Sequence, residues 1–160
     1  MAKSKKTNAM RELDKLSVTY DITSYEWHPE QLDATHASES IGMEADAVFK
    51  TLVLIGDKTG HLVACIPANE HIDLKQLARI SGNKRVDMIE VKTLLPITGY
   101  IRGGCSPLAM KKSLPTFMHQ SILEKEKIAV SAGKRGLQII LSGPDLVHAT
   151  AATTASLIMN

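Results

Sequence analysis

Two glycine-rich basic segments and one lysine carry most of the chemistry this sequence offers. The segments are Arg102-Gly103-Gly104-Cys105-Ser106-Pro107 and Ser131-Ala132-Gly133-Lys134-Arg135-Gly136, and the lysine is Lys50. Glycine lets a backbone approach a ligand closely and take up turns that point N–H groups inward. Arg102, Lys111, Lys112, Lys134 and Arg135 lie in or beside these segments. Backbone donors next to cations suit a phosphate or a carboxylate. A pair of tight turns with incidental basic residues is the plainer alternative.

Lys50 interrupts the apolar run Val48-Phe49-Lys50-Thr51-Leu52-Val53-Leu54-Ile55. In a strand it shares a face with Val48, Leu52 and Leu54, the apolar side. A buried ammonium is costly unless paired, and an anionic ligand would pair it. A lysine snorkelling from a strand edge fits the same pattern. Cys105 is a nucleophile by type, but no histidine lies near it in sequence. The six histidines form no HExxH or other metal spacing, so no metal and no cofactor is expected. Ser131 has no nucleophile-elbow motif. The residues by themselves describe an anion-binding cleft without a nucleophile–base pair of its own.

The charge distribution agrees with a local positive field. The net charge is only +2, yet residues 102–136 carry seven basic and two acidic side chains while residues 16–101 carry seven and twelve. Such a segment attracts anions, or it is simply a solvated face. Cys65 and Cys105 are the only cysteines, which makes a disulfide framework unexpected and a reducing cytoplasm the expected setting. No apolar run approaches the ~20 residues of a membrane span. The basic start has no apolar stretch after it, so no signal peptide is expected.

The elements that must position these residues read as follows. Thr7–Lys15 is a helix burying Ala9, Met10, Leu13 and Leu16, and Thr19–Tyr25 is a strand. Thr35–Ile41 is a helix capped by Thr35. Val48–Ile55 and His61–Ile66 form a hairpin around Gly56–Gly60. Asp73 and Gln76 resemble a capping box for a helix ending at Ser81, with Gly82 as its C-cap. Val86–Ile89 is a short strand and Glu90–Leu95 a short helix. Thr116–His119, Lys127–Ser131 and Leu137–Leu141 are strands, the last two flanking the second glycine-rich segment. Gly143-Pro144-Asp145 opens a final helix, after which Ala149–Ser156 is expected to fray. Paired strands with helices between the pairs predict a single α+β domain over 1–160, with a mixed, curved β-sheet and flanking helices, and not a Rossmann alternation.

Three stretches closely resemble the YbaK/EbsC family, which is related to the editing domain inserted in bacterial prolyl-tRNA synthetase. They are Phe49-Lys50-Thr51-Leu52, Gly99 to Pro107, and Val130 to Leu137, in the family's order and spacing. Tyr25 resembles the family's early strand tyrosine. The likeness runs from about Thr7 to about Val147. It implies the YbaK/prolyl-tRNA-synthetase-associated fold and an aminoacyl-tRNA deacylase that clears Cys-tRNA(Pro) and also acts on Cys-tRNA(Cys).

By the same resemblance, Lys50 binds the tRNA's terminal adenosine or its phosphate. Gly103 and Gly104 sit against the 3′ end, with their N–H groups as oxyanion donors, and Ser131 lines the pocket. Tyr25, Arg102, Ser106, Gly133, Lys134 and Arg135 are the accompanying candidates for tRNA contact. In such enzymes the substrate's own thiol attacks its ester, leaving a thiolactone and free tRNA, so Cys105 needs no role. Prolyl-tRNA synthetase is the implied partner. Ala132 departs from the family's usual glycine; a positive φ there would strain the loop. Related members take Ala-tRNA(Pro) and use water, and a non-catalytic tRNA- or synthetase-binding or regulatory module is the other alternative. Few aromatics and no interleaved basic stripe argue against a general RNA-stacking platform.

Overall fold

The computed structural model describes residues 6–27 and 34–160, with the side chains of 34–37 outside the description. Helix α1 (Asn8–Lys15) starts where the Thr7 hydroxyl accepts the Met10 N–H at 3.2 Å. A cap of this kind contributes about 1 kcal/mol. The helix buries Ala9, Met10 and Leu13. Leu16 is the C-cap and is 46% exposed, so it leaves the buried face expected for it.

Strand β1 (Asp21–Ser24) is followed by α2 (Ala34–Ile41). The helix begins one residue before Thr35, which therefore lies inside it and not at its cap. Then come the hairpin β2 (Phe49–Gly56) and β3 (Gly60–Pro67), α3 (Leu74–Ser81), β4 (Val86–Met88), α4 (Leu94–Thr98) and β5 (Thr116–His119). Asp73 caps α3 by accepting the Gln76 N–H at 3.1 Å, and Gly82 ends it with φ 82°. The short helix expected from Glu90 starts later, after a 3₁₀ turn at Val91–Thr93. Strands β6 (Ile128–Ser131) and β7 (Leu137–Leu141) flank the second glycine-rich loop. Helix α5 (Gly143–Thr150) is capped by Ser142, and β8 (Thr153–Ala155) follows.

The strands make two sheets. Three strands run in the order β1-β7-β6, all antiparallel, and five in the order β4-β2-β3-β5-β8. In the larger sheet β2 pairs antiparallel with β3 and β4, while β3–β5 and β5–β8 are parallel. The mixed α+β arrangement is as the element pattern predicts. The expected fraying of Ala149–Ser156 does not occur. A parallel pairing to β5 holds β8, because Thr153–Ala155 is β-prone and finds an open sheet edge.

Alternation sorts the side chains into two layers. One face of the larger sheet (Phe49, Val63, Cys65, Met118) packs on Val130, Ile139 and Leu141 of the smaller sheet and on α1. The other face (Leu54, Leu62, Ala64, Ile66, Phe117) packs on Leu77 and Ala78 of α3. Strand β3 is covered on both faces, which is why it reads as an unbroken apolar run. Each fully buried leucine contributes about 1.5–3 kcal/mol by leaving water. A third cluster (Val48, Ala68, Ala129) lies where the two sheets meet, at the parallel bridge between Val48 and Ala129. The candidate site is built at this junction.

Candidate functional site

Lys50 sits one residue into β2, immediately beyond the sheet junction. It shares its face with Leu52 and Leu54, as alternation predicts, and both pack in the α3-side layer. Its ammonium donates to the Ala68 carbonyl at 3.2 Å, and the residue is half-buried. The carbonyl accepts one bond from a group with three donors, which helps hold the ammonium at the edge of the core. Thr51 points the other way, with its hydroxyl 3.7 Å from the buried Cys65 sulfur.

The two glycine-rich loops meet. Arg135 is exposed, yet its Nε donates to the Arg102 carbonyl at 2.8 Å, and its guanidinium lies 4.1 Å from the centre of the Trp27 ring. Gly103 has φ 88°, and a Cβ there would stand 2.7 Å from Trp27 Nε1. Gly133 has φ 95°, and a Cβ there would stand 2.9 Å from Tyr100 Cε1. The glycines are therefore demanded twice, by backbone conformation and by the approach of an aromatic ring. The Tyr25 N–H donates to the Gly136 carbonyl at 2.8 Å, so Tyr25 joins the same cluster.

Each loop is also braced from within. The Tyr100 hydroxyl donates to the Leu108 carbonyl at 2.5 Å and spans the first loop. Ser106 is fully buried, and its hydroxyl accepts the Leu108 N–H. That bond gives Ser106 a part in holding the loop; the exposed cations on either side are better placed to meet a ligand. The Gly104 N–H is engaged with the Ile101 carbonyl at 2.9 Å. Of the two amides expected as oxyanion donors, Gly104 is thus already used by the turn. The Gly103 amide has no partner among the described residues. In the second loop the Ser131 hydroxyl accepts the Gly133 N–H at 3.2 Å. Ala132 is fully buried and keeps a negative φ, the positive value falling on Gly133, so the alanine brings no strain.

Arg102, Lys134 and Arg135 are all exposed around this cluster. Lys112 is elsewhere: with Glu12, Met110 and Thr150 it lines a separate cavity of about 320 Å³. Burial pushes the Cys65 thiol up to about 12, and burial likewise takes Cys105 to about 12, against a hydrogen bond from Thr98 that pulls it down. No group of acidic, histidine or cysteine side chains that could hold a metal occurs among the described residues. Nor is any helix among them long and apolar enough to cross a membrane. Sequence reading gave no role to Trp27, Tyr100 or Ala68; motif spacing does not show that an aromatic ring packs against a glycine of a distant segment.

A family model for the aminoacyl-tRNA editing domain matches residues 28–149. The chain belongs to this editing-domain family. A relative from Enterococcus faecalis, named "Putative Cys-tRNA(Pro)/Cys-tRNA(Cys) deacylase EbsC", is 48% identical over 153 residues, covering 94% of this chain and 93% of its own. A proline–tRNA ligase from Shouchella clausii is 28% identical over 116 residues, 72% of this chain but only 20% of the ligase. Among solved structures, one described as "a putative trans-editing enzyme for prolyl tRNA synthetase" superposes with a TM-score of 0.82 at 20% identity, over 98% of this chain and all of that one. That likeness shows that this editing domain has the same fold.

Proposed function

We propose that this chain is a single-domain, cytoplasmic trans-editing deacylase that removes cysteine from Cys-tRNA(Pro) and from Cys-tRNA(Cys). The observation that carries the reading is the 48% identity, nearly end to end, with the relative named for that activity. The geometry supports the chemistry. The exposed Arg102, Lys134 and Arg135 on the paired loops, together with the half-buried Lys50, suit the phosphates of a tRNA 3′ end, and burial pushes both cysteine thiols up to about 12, away from the ionised form a protein nucleophile needs.

In the proposed reaction the substrate's thiol sulfur attacks its own ester carbonyl. The new S–C bond forms as the bond from that carbon to the ribose oxygen breaks, and the thiol proton ends on the ribose hydroxyl. The products are cysteine thiolactone and free tRNA. Well-oriented intramolecular attack reaches effective molarities of about 10⁵–10⁸ M, so the protein's part is to orient the ester. The unengaged Gly103 amide is the candidate donor to the developing oxyanion. Lys50 fixes the terminal nucleotide, and Tyr25, Ser131 and Gly133 shape the pocket wall. Prolyl-tRNA synthetase is the proposed partner, because a similar segment occurs within a proline–tRNA ligase and a free-standing domain must find the mischarged tRNA in trans.

The test compares release of labelled cysteine from Cys-tRNA(Pro) with release of proline from Pro-tRNA(Pro) and alanine from Ala-tRNA(Pro). Cysteine should leave fastest, and alkylating the substrate's thiol should stop it. Background rates on all three would leave a binding module, and preferred loss of alanine would point to water as the nucleophile.

A further inference from the structure

Gln138 lies on β7, is only 5% exposed, and its side-chain Oε1 has no hydrogen-bond partner. A buried carboxamide oxygen without a partner forfeits its hydration for nothing in return. Such an atom in a folded chain calls for a reason.

Its position supplies one. Gln138 stands opposite Ser131 on β6 and opposite Thr23 on β1, so the three side chains share one face of the smaller sheet. The next row of that face holds Ala129 and Ile140, which pack with Val48 and Ala68 at the sheet junction. Val48 pairs with Ala129 in an isolated parallel bridge, and Lys50 and Ser131 each lie two residues beyond it on the same strand faces as Val48 and Ala129. The Ala68 carbonyl that receives the Lys50 ammonium belongs to the same small cluster. Ser131 and Gln138 are paired on the junction side of the smaller sheet, and Lys50 leaves the junction from the neighbouring strand, with the unpartnered acceptor of Gln138 beyond Ser131.

An aminoacyl ester brings three kinds of polar group to this junction. Its phosphates and its ester carbonyl need donors and cations, which the loops and Lys50 offer. Its α-ammonium needs an acceptor. The Ser131 hydroxyl already accepts the Gly133 N–H, whereas Gln138 Oε1 is buried with no partner among the described residues. We propose that Gln138 is a substrate-binding residue of the editing site whose Oε1 accepts a hydrogen bond from the α-ammonium of the aminoacyl ester. This rests on the deacylase reading above and adds to it the group that recognises the amino end. A neutral acceptor does so without placing a carboxylate beside Lys50.

The experiment uses the full chain and two substrates, Cys-tRNA(Pro) and N-acetyl-Cys-tRNA(Pro), which lacks the ammonium. Wild-type protein should prefer the free amine in kcat/KM. Gln138→Met should lose about 10–100-fold on the free amine, the worth of one charge-assisted hydrogen bond, and should no longer distinguish the two substrates. Its thermal midpoint should stay level or rise, since an orphan polar atom is replaced by an apolar one. Gln138→Glu, which keeps an acceptor, should retain the preference. Equal losses on both substrates, a preserved preference in Gln138→Met, or a lowered midpoint would overturn the assignment while leaving the deacylase reading intact. An inactive wild type on Cys-tRNA(Pro) would remove both.

Discussion

The guanidinium of Arg135 lies 4.1 Å from the centre of the Trp27 ring, and its Nε holds the Arg102 carbonyl at 2.8 Å. One side chain therefore ties the second glycine-rich loop to the first. The cation–π contact contributes about 0.5–1 kcal/mol at an exposed position, and the hydrogen bond a similar amount. Arg135→Ala should lower global stability by no more than about 2 kcal/mol. It should also raise amide exchange selectively over residues 100–107 and 131–137. Arg135→Lys should not restore protection, because an ammonium cannot stack and donate sideways in the same plane. Uniform exchange in both variants would show that the loops hold without the clamp.

Gly103 sits beneath the same ring. A methyl group there would stand 2.7 Å from Trp27 Nε1 on a backbone with φ 88°. Gly103→Ala combines left-handed strain of about 1–2 kcal/mol with a displaced ring. Trp27 is the only tryptophan, so its emission, excited selectively over tyrosine, reports this site alone. The variant should shift the emission and reduce turnover. Gly60→Ala, with φ 76° and nothing within 4 Å of its Cβ, should cost stability while leaving the emission unchanged. Identical emission in the two variants would mean that the ring is not packed on Gly103.

Much of this was legible in the sequence because it is local. The cap at Asp73, the β2–β3 hairpin, and the face that Lys50 shares with Leu52 and Leu54 all follow from turn chemistry and periodicity. What was not legible depends on long-range pairing. Thr153–Ala155 becomes a strand only because β5 offers an edge. Ser106 is a loop brace only because the chain turns its hydroxyl back to Leu108. Gln138 reads as an ordinary polar residue in a strand until the register sets it opposite Ser131. Motif spacing located the two loops; it carried no information that Trp27 and Tyr100 would pack against their glycines.

Cys105 follows Gly104 in a loop assigned to substrate, which invites a covalent role. Its thiol stands at about 12, chiefly through burial. At pH 7 such a thiol is ionised to on the order of one part in 10⁵, too little for a working nucleophile. Cys105→Ala should keep most of the turnover, and iodoacetamide at pH 7 should leave the wild type active. Loss of activity in Cys105→Ala at unchanged thermal stability would instead require a thioester on the protein.

The Lys50 ammonium donates to the Ala68 carbonyl at the junction of the two sheets. Lys50→Ala should therefore abolish deacylation of Cys-tRNA(Pro), by 10²-fold or more if it positions the reacting ester, with a small change in thermal midpoint. Lys50→Met keeps the aliphatic stem and removes the ammonium, so it should be equally inactive and at least as stable as Lys50→Ala. Retained turnover in Lys50→Met would assign the residue to packing.

His119 sets a pH limit from the other end of the larger sheet. It is 8% exposed, and its Nδ1 accepts the Leu157 N–H at 3.2 Å, which requires the proton on Nε2. Burial holds its pKa below the ordinary 6.5, with the nearby Glu70 carboxylate pulling weakly the other way. The unfolded chain therefore binds a proton that the folded chain resists. Stability from this group is full above about pH 6.5 and is lost as pH falls below it toward the lower folded value, at up to about 1.4 kcal/mol per pH unit. Protonating Nδ1 also turns an acceptor into a donor facing the Leu157 amide. Leu157 is the anchor of the chain's end, because its carbonyl takes the Asp73 N–H at 2.7 Å while Met159 donates to the His71 carbonyl at 2.9 Å. Denaturant unfolding between pH 5 and 8 should show wild type losing stability on the acid side. His119→Asn, whose carboxamide oxygen offers an acceptor that does not titrate in this range, should lose less over the same interval. Amide exchange at Leu157 should accelerate in the wild type as pH falls, once corrected for the intrinsic rate. Parallel pH profiles for the two proteins would show that His119 is not the group that titrates.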